Sequence, residues 1–76
     1  MTGPTTITLS SDHALVLFEL LARLNTDGQV PFADQAEQRV LWDLEAQLES
    51  NLTAVVASNY HEQLTAARGR IRDATD

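Results

Sequence analysis

The segment Asp12–Leu24, with the sequence DHALVLFELLARL, constrains the fold most because it is apolar around most of a helix. At 100° per residue, its apolar side chains cover an arc of about 260° around the helix axis. A polar strip formed by Asp12, Glu19 and Arg23 lies outside this arc. Glu19 and Arg23 are spaced to form an ion pair along the helix. So wide an apolar arc must be covered on most sides. We expect a second copy of the chain to help cover it; the alternative is a central helix that the rest of the chain wraps completely.

Chain length supports the expectation of self-association. The chain has 76 residues, enough for one small domain. Conformational entropy opposes folding by roughly 1.5 kcal/mol per ordered residue, so domains of this size depend on disulfides, metals, close helix packing or oligomerisation. Because the sequence contains no cysteine, disulfides and thiolate zinc sites are excluded. Helix packing and association therefore remain as the sources of stability.

Capping residues and helix breakers predict three helices. A candidate N-cap precedes each helix: Ser10 or Ser11 for the first, Asp34 for the second and Asn59 for the third. Glu37 follows Asp34, and Glu62 follows Asn59, at the spacing of a capping box. The first helix runs to about Asn25 and is stopped by Thr26-Asp27-Gly28, and the second ends near Leu52 or Val55. The third runs from about Tyr60 to Asp73.

These elements predict an all-α fold in which two longer helices form a hairpin and a shorter third helix docks on it. Residues 1–9 form an N-terminal arm, and residues 10–76 form a single helical domain. Thr6–Leu9 alternates polar and apolar residues, which is typical of a short strand or of an arm laid across the helices. We expect two copies to associate into a helical bundle dimer.

Trp42 departs from the pattern of the second helix. An ordinary apolar stripe runs along this helix, formed by Ala36, Val40, Leu41, Leu44, Leu48 and Leu52. Trp42 lies about 80° past the edge of that stripe, towards Arg39. Trp and Arg are enriched in interface hot spots, so Trp42 either anchors another chain or is covered by Ile7 and Leu9, or by the third helix. The candidate interface residues are Leu15, Val16, Leu17, Phe18, Leu20, Leu24, Arg39 and Trp42.

The charge balance favours a protein partner over nucleic acid. Eleven acidic residues and five arginines give a net charge of −6, which repels phosphates and attracts basic partners. The third helix carries one basic flank, formed by His61, Thr65, Arg68 and Arg72. We expect this flank to pair with acids such as Glu45 or Glu49, within or between chains. Contact with phosphate is the alternative.

No sequence feature indicates catalysis, a cofactor or a metal, because no nucleophile with a base, Gly-rich phosphate loop or HExxH motif occurs. The longest apolar stretch, Ala14–Leu24, is shorter than the roughly 20 residues of a membrane span, and no signal peptide is recognisable. A cytoplasmic location is expected.

The sequence favours a non-enzymatic, self-associating interaction protein. The alternatives are an inhibitor or immunity-type protein with an acidic face against a basic toxin or nuclease, and a nucleic-acid-binding regulator that uses the C-terminal arginines.

Two runs of the sequence resemble a known group of proteins. Asp12–Leu24 and Asp34–Leu48 (DQAEQRVLWDLEAQL) are together similar to a group of short, uncharacterised bacterial helical proteins with the pattern EALVLFE…DQAEQRVLWDLEAQLE. The second run carries most of the resemblance and includes Arg39 and Trp42, whereas His13 stands where the group has Glu. The group has no assigned activity, so the resemblance implies a stand-alone helical protein and transfers no function.

Overall fold

A computed structural model describes residues 3–28, 31–52 and 57–74 of the chain. It contains three helices, α1 (Ser11–Asp27), α2 (Gln35–Asn51) and α3 (Tyr60–Arg72). The predicted all-α, three-helix fold is confirmed, and the predicted ranges are close to those observed. Helix α2 ends at Asn51 with Leu52 as its cap, whereas Val55, the later of the two predicted ends, lies outside the described residues.

Helix α1 has a serine cap at its start and a glycine at its end. Ser10 is the N-cap, and its hydroxyl oxygen accepts a hydrogen bond of 3.1 Å from the backbone N–H of His13. The same hydroxyl contacts the Nδ1 atom of His13 at 2.7 Å. At the other end, Gly28 adopts a φ of 67°, and its N–H donates to the carbonyl oxygen of Leu24. Since only glycine takes this backbone conformation without strain, Gly28 stops the helix.

The capping-box spacing at α2 forms a slightly altered cap. Asp34 accepts a 2.7 Å hydrogen bond from the N–H of Ala36, as an N-cap residue should. Glu37 reaches back one residue further than in the standard box and accepts a 2.7 Å bond from the N–H of Ala33. Both carboxylates therefore stabilise the start of α2.

The corresponding expectation at α3 is wrong. Asn59 makes no side-chain cap, and its amide oxygen accepts from the side chain of Gln63 at 2.7 Å instead. Its φ of −105° and ψ of 31° differ from the extended backbone of a good N-cap. The Asn59 side chain is therefore engaged along the helix instead of with the first backbone N–H groups, and the predicted cap between Asn59 and Glu62 does not form.

Helix α1 is the central element, because it packs against both α2 and α3 while those two helices scarcely contact one another. The core consists of Leu15, Leu64 and Ala67, which are at most 5% exposed, with Val16, Leu52 and Tyr60 packed around them. Leu21 of α1 is also buried. No residue of α2 is buried.

The N-terminal arm lies across α1 and α2. Residues 3–10 are neither helix nor strand, so the strand alternative for Thr6–Leu9 is not found in this described segment. Thr5, Ile7 and Leu9 line a groove together with Leu17 of α1 and residues of α2. The arm alternative fits this arrangement, since the described part of the chain offers no second strand for the backbone to pair with.

We expect Leu64→Ala to lower the free energy of unfolding by roughly 2–5 kcal/mol, because it leaves a cavity beside Leu15 in a small core. Thr65→Ala, an exposed change on the same helix, should alter it by no more than about 0.5 kcal/mol. Urea denaturation at one fixed protein concentration measures both values. Equal effects of the two substitutions would show that α3 does not contribute to the core.

Candidate interaction surface

The chain exposes more surface than a compact monomer of its mass. Its accessible surface is 6022 Å², against about 4600 Å² expected for a folded monomer of 8.4 kDa. Its radius of gyration is 14.0 Å, against about 11.4 Å expected for 76 residues. The three helices therefore cover one another incompletely. This is consistent with the absence of any buried residue along α2.

Within residues 3–28, 31–52 and 57–74, five large apolar side chains are exposed, and they mark where the uncovered surface lies. Ile7 is 76% exposed and Val40 is 62% exposed, whereas Leu9, Leu20 and Trp42 are 40–47% exposed. Isolated exposed leucines are ordinary in soluble proteins, but a cluster of exposed apolar side chains indicates an interaction site. The question is therefore which of these five residues share one face of the molecule.

The contacts between α1 and α2 fix the orientation of both helices. Near the end of α1, the amide of Asn25 donates to the carboxylate of Glu45. Eight residues earlier, in the middle of α1, Leu17 lines a groove with Leu48 and Asn51, which lie further along α2 than Glu45. The two helices therefore run antiparallel as a hairpin. Asn25 and Glu45 lie at one side of the hairpin, and Leu17 and Leu44 lie at the other, under the arm.

Helical geometry places most of the exposed apolar residues on the side of the hairpin that carries the arm. At 100° per residue around α1, Leu20 and Leu24 lie on the far side of Leu17 from Asn25. Around α2, Val40 lies on the far side of Leu44 from Glu45. The resulting apolar surface, termed the hairpin face, consists of Ile7, Leu9, Leu20, Leu24, Phe32 and Val40.

The hairpin face has an open recess at one end and the arm at the other. The recess has a volume of about 430 Å³ and lies at the start of α2, where it is lined by Pro31, Phe32, Ala36, Glu37, Val40 and Leu41. The arm covers the other half of the same α2 stripe, beside Leu44 and Leu48, over a groove of about 450 Å³. One half of the apolar stripe of α2 is thus covered by the chain itself, and the other half is open.

Trp42 and Arg39 lie on another side of α2. Trp42 is about 160° away from Val40 around the helix, and Arg39 lies between them, about 100° from Val40. Neither residue lines the groove under the arm, so the arm does not cover Trp42, and its ring is 47% exposed. These two residues form a second exposed patch that a single interface on the hairpin face does not include.

The structure separates the candidate interface residues that the sequence grouped together. Leu15 is buried in the core and Val16 packs against it, so the chain already covers both side chains. Leu17 lies beneath the arm, whereas Phe18 and Leu24 are partly exposed and Leu20 is exposed. Sequence reasoning did not select Val40, because it assigned the α2 stripe to an ordinary core.

A hydrogen bond between Tyr60 and Glu19 joins α3 to α1. The hydroxyl of Tyr60 donates a 2.7 Å hydrogen bond to Glu19, whose other carboxylate oxygen lies 3.8 Å from Arg23, the predicted ion pair. Burial and the carboxylate of Glu19 raise the pKa of Tyr60 to about 12, because both disfavour the phenolate. Tyr60 thus packs its ring against the core and pairs its hydroxyl with a carboxylate.

Arg70 and Arg72 of α3 each lie beside a carboxylate. Arg70 binds Asp12 through two hydrogen bonds of 2.7 and 2.9 Å, and the guanidinium lowers the pKa of Asp12. Arg72 lies 3.6 Å from Asp73. The expected pairing of the basic flank with Glu45 or Glu49 is not found within the chain among the described residues. The reason is that α3 and α2 pack on different sides of α1.

The structure and the comparisons assign no ligand to these surfaces. Within residues 3–28, 31–52 and 57–74, no three acidic or histidine side chains are grouped as metal ligands would be. None of the three described helices combines the length and apolar character needed to cross a membrane. Searches against protein-family models, curated proteins and solved structures found no match to this chain.

We expect the single tyrosine, Tyr60, to ionise near pH 12 in the folded protein instead of near pH 10. The pKa of Tyr60 is higher in the folded state than in the unfolded state. The contribution of this group to the free energy of unfolding is therefore complete below pH 10 and is lost as the pH rises towards 12. Phenolate absorbance measured during alkaline titration gives the pKa directly. Glu19→Gln should lower that pKa towards 10, and no change in this variant would contradict the assigned role of Glu19.

Proposed function

We propose that this chain is a non-enzymatic helical protein that self-associates through the hairpin face. The observation that carries the proposal is the concentration of exposed apolar side chains on one side of the α1–α2 hairpin, with Ile7 and Val40 the most exposed. In this proposal two hairpins pack face to face, so that their four long helices form a bundle. Helix α3 lies outside the bundle, because Tyr60 and Arg70 hold it on α1.

The surface area supports a dimer. The excess of accessible surface over that of a compact monomer is about 1400 Å² per copy, and a standard protein interface buries about 800 Å² on each partner. Pairing two hairpin faces over an interface of standard size can therefore remove a little over half of this excess. Such an area is consistent with a specific interface, although area alone does not determine affinity.

Charge also favours this face as the point of contact. Each copy carries a net charge of −6, so two copies repel one another unless the contact surface itself is nearly uncharged. Glu37 is the one charged residue that lines the recess, and its carboxylate is bonded to the N–H of Ala33. Raising the salt concentration should therefore strengthen association or leave it unchanged, because salt screens the repulsion between the acidic surfaces.

The same charges make nucleic acid and an acidic inhibitory face weaker candidates. Arg70 and Arg72 each lie beside a carboxylate, which reduces the positive charge available to phosphate. Several acids are engaged within the chain by hydrogen bonds: Asp12, Glu19, Asp34, Glu37 and Glu45. An acidic surface for a basic partner would have to use the remaining ones. Self-association through the hairpin face does not depend on a free acidic surface.

We expect sedimentation equilibrium at micromolar concentration to give about twice the monomer mass of 8.4 kDa. Leu20→Asp and Val40→Asp should each shift the protein towards the monomer, because they place an unpaired charge in the proposed interface. Both positions are exposed in the single chain, so the helical circular dichroism of each variant should persist. A wild-type protein that remains monomeric at this concentration would refute the proposal.

Trp42→Asp is the matched control for Val40→Asp. Both residues are large, apolar and exposed on α2, but they lie on different sides of the helix. We expect Trp42→Asp to leave the dimer intact. If Trp42→Asp dissociates the dimer and Val40→Asp does not, the interface lies on the Trp42 and Arg39 side of α2.

We expect no binding to random duplex DNA at 50 mM salt in a gel-shift titration up to low micromolar protein. The acidic total charge repels the phosphates, and two of the three C-terminal arginines have carboxylate neighbours. A complex that forms at 50 mM salt, disappears at 300 mM salt and is lost in an Arg68→Ala/Arg72→Ala variant would instead establish a nucleic-acid-binding regulator.

A further inference from the structure

We infer that the occupant of the recess beside Val40 is Ile7 from the arm of a second copy of this chain, an inference that rests on the proposed self-association. The recess is open in the single chain and is lined mainly by carbon atoms. Ile7 is the most exposed of the large apolar side chains that the structure describes. The hairpin face thus carries one apolar protrusion and one apolar recess.

The protrusion and the recess lie at opposite ends of this face. Ile7 shares its groove with Leu48 and Asn51, which belong to the last turns of α2. The recess is formed by Ala36 and Val40 in the first turns of α2, together with residues of the preceding loop. The groove under the arm begins at Leu44, about one helical turn beyond Leu41 of the recess, so the arm and the recess occupy successive halves of α2.

Two-fold symmetry brings these two features together across a dimer. Suppose that two identical faces pack about a two-fold axis perpendicular to the helices. The arm of each copy then meets the recess of the other copy. The contact then occurs twice, so both recesses are filled and both Ile7 side chains are covered. An axis parallel to the helices would instead place arm against arm and recess against recess.

The chemistry of the two surfaces matches. The arm segment Gly3–Ser10 contains no charged residue, and neither does the loop segment 31–33 that forms one wall of the recess. Since each copy is strongly acidic, an uncharged segment can approach the other copy with little electrostatic cost. Leu9 is 40% exposed whereas Ile7 is 76% exposed, so Leu9 can hold the arm on its own chain while the more exposed Ile7 reaches the partner.

Cysteine cross-linking tests this arrangement directly, because the natural chain has no cysteine. We expect a mixture of the single variants Ile7→Cys and Val40→Cys, oxidised under mild conditions, to give a disulfide-linked heterodimer on a non-reducing gel. A disulfide requires the two Cα atoms to be within about 7 Å, so the bond reports close contact. Ala36→Cys, one helical turn before Val40 in the lining of the recess, serves as a second partner for Ile7→Cys. Trp42→Cys is the matched control and should give no heterodimer with Ile7→Cys.

Three outcomes would overturn the inference. The first is the absence of a heterodimer with both Val40→Cys and Ala36→Cys. The second is efficient cross-linking of Ile7→Cys with itself, which indicates the parallel symmetry axis. The third is an internal disulfide in the monomeric double variant Ile7→Cys/Val40→Cys, which indicates that the arm fills its own recess. A wild-type protein that still sediments as a dimer in these cases would leave the proposed function standing.

A second measurement keeps the test independent of disulfide geometry. Ile7→Asp should weaken the dimer by at least tenfold in its dissociation constant, because it places a carboxylate in the apolar recess of the partner. Thr8→Asp adds the same charge at the adjacent exposed residue of the arm and should weaken the dimer much less. Equal effects of the two substitutions would show that Ile7 does not enter the recess.

Discussion

The packing of α3 onto α1 is the contact on which the rest of this structure depends. Leu64 and Ala67 of α3 are almost completely buried against Leu15 of α1. The small side chain of Ala67 lets the two helices approach closely, and the hydrogen bond from Tyr60 to Glu19 and the pairing of Arg70 with Asp12 fix the orientation of α3. This contact contains three of the four buried apolar side chains among the described residues.

A consequence of this arrangement is that α2 has only one helix to pack against. Because α3 lies on a different side of α1, α2 contacts α1 and the arm but makes little contact with α3. An amphipathic helix with one neighbour covers only part of its stripe, and Val40 remains 62% exposed. The apolar surface of α2 and the adjoining surface of α1 form the proposed interface for this reason. A small domain that buries so few side chains gains stability from association.

The proposed interface differs in character from the contact between α1 and α3. The α1–α3 contact combines apolar burial with specific polar pairs, which fix one orientation. The hairpin face is mainly apolar, and the one carboxylate in its recess belongs to Glu37, which is already bonded within the chain. A surface of this kind can bind through shape and apolar contact. In the proposed dimer, the two-fold placement of arm and recess would supply the specificity that polar pairs supply between α1 and α3.

The sequence by itself determined the helices, because capping and helix-breaking residues act locally. Ser10, Asp34 and Gly28 set helix boundaries through contacts within a few residues, and the Glu19–Arg23 pair follows from spacing along one turn. Which apolar residues are covered was decided only by the tertiary structure. Leu15 and Val40 are both apolar residues on the apolar side of a helix, yet Leu15 is buried and Val40 is exposed because α3 docks on the first and not on the second. The choice of α1 as the docking site of α3 depends on residues 41 or more positions apart, such as Glu19 and Tyr60, and no local pattern records such a pairing.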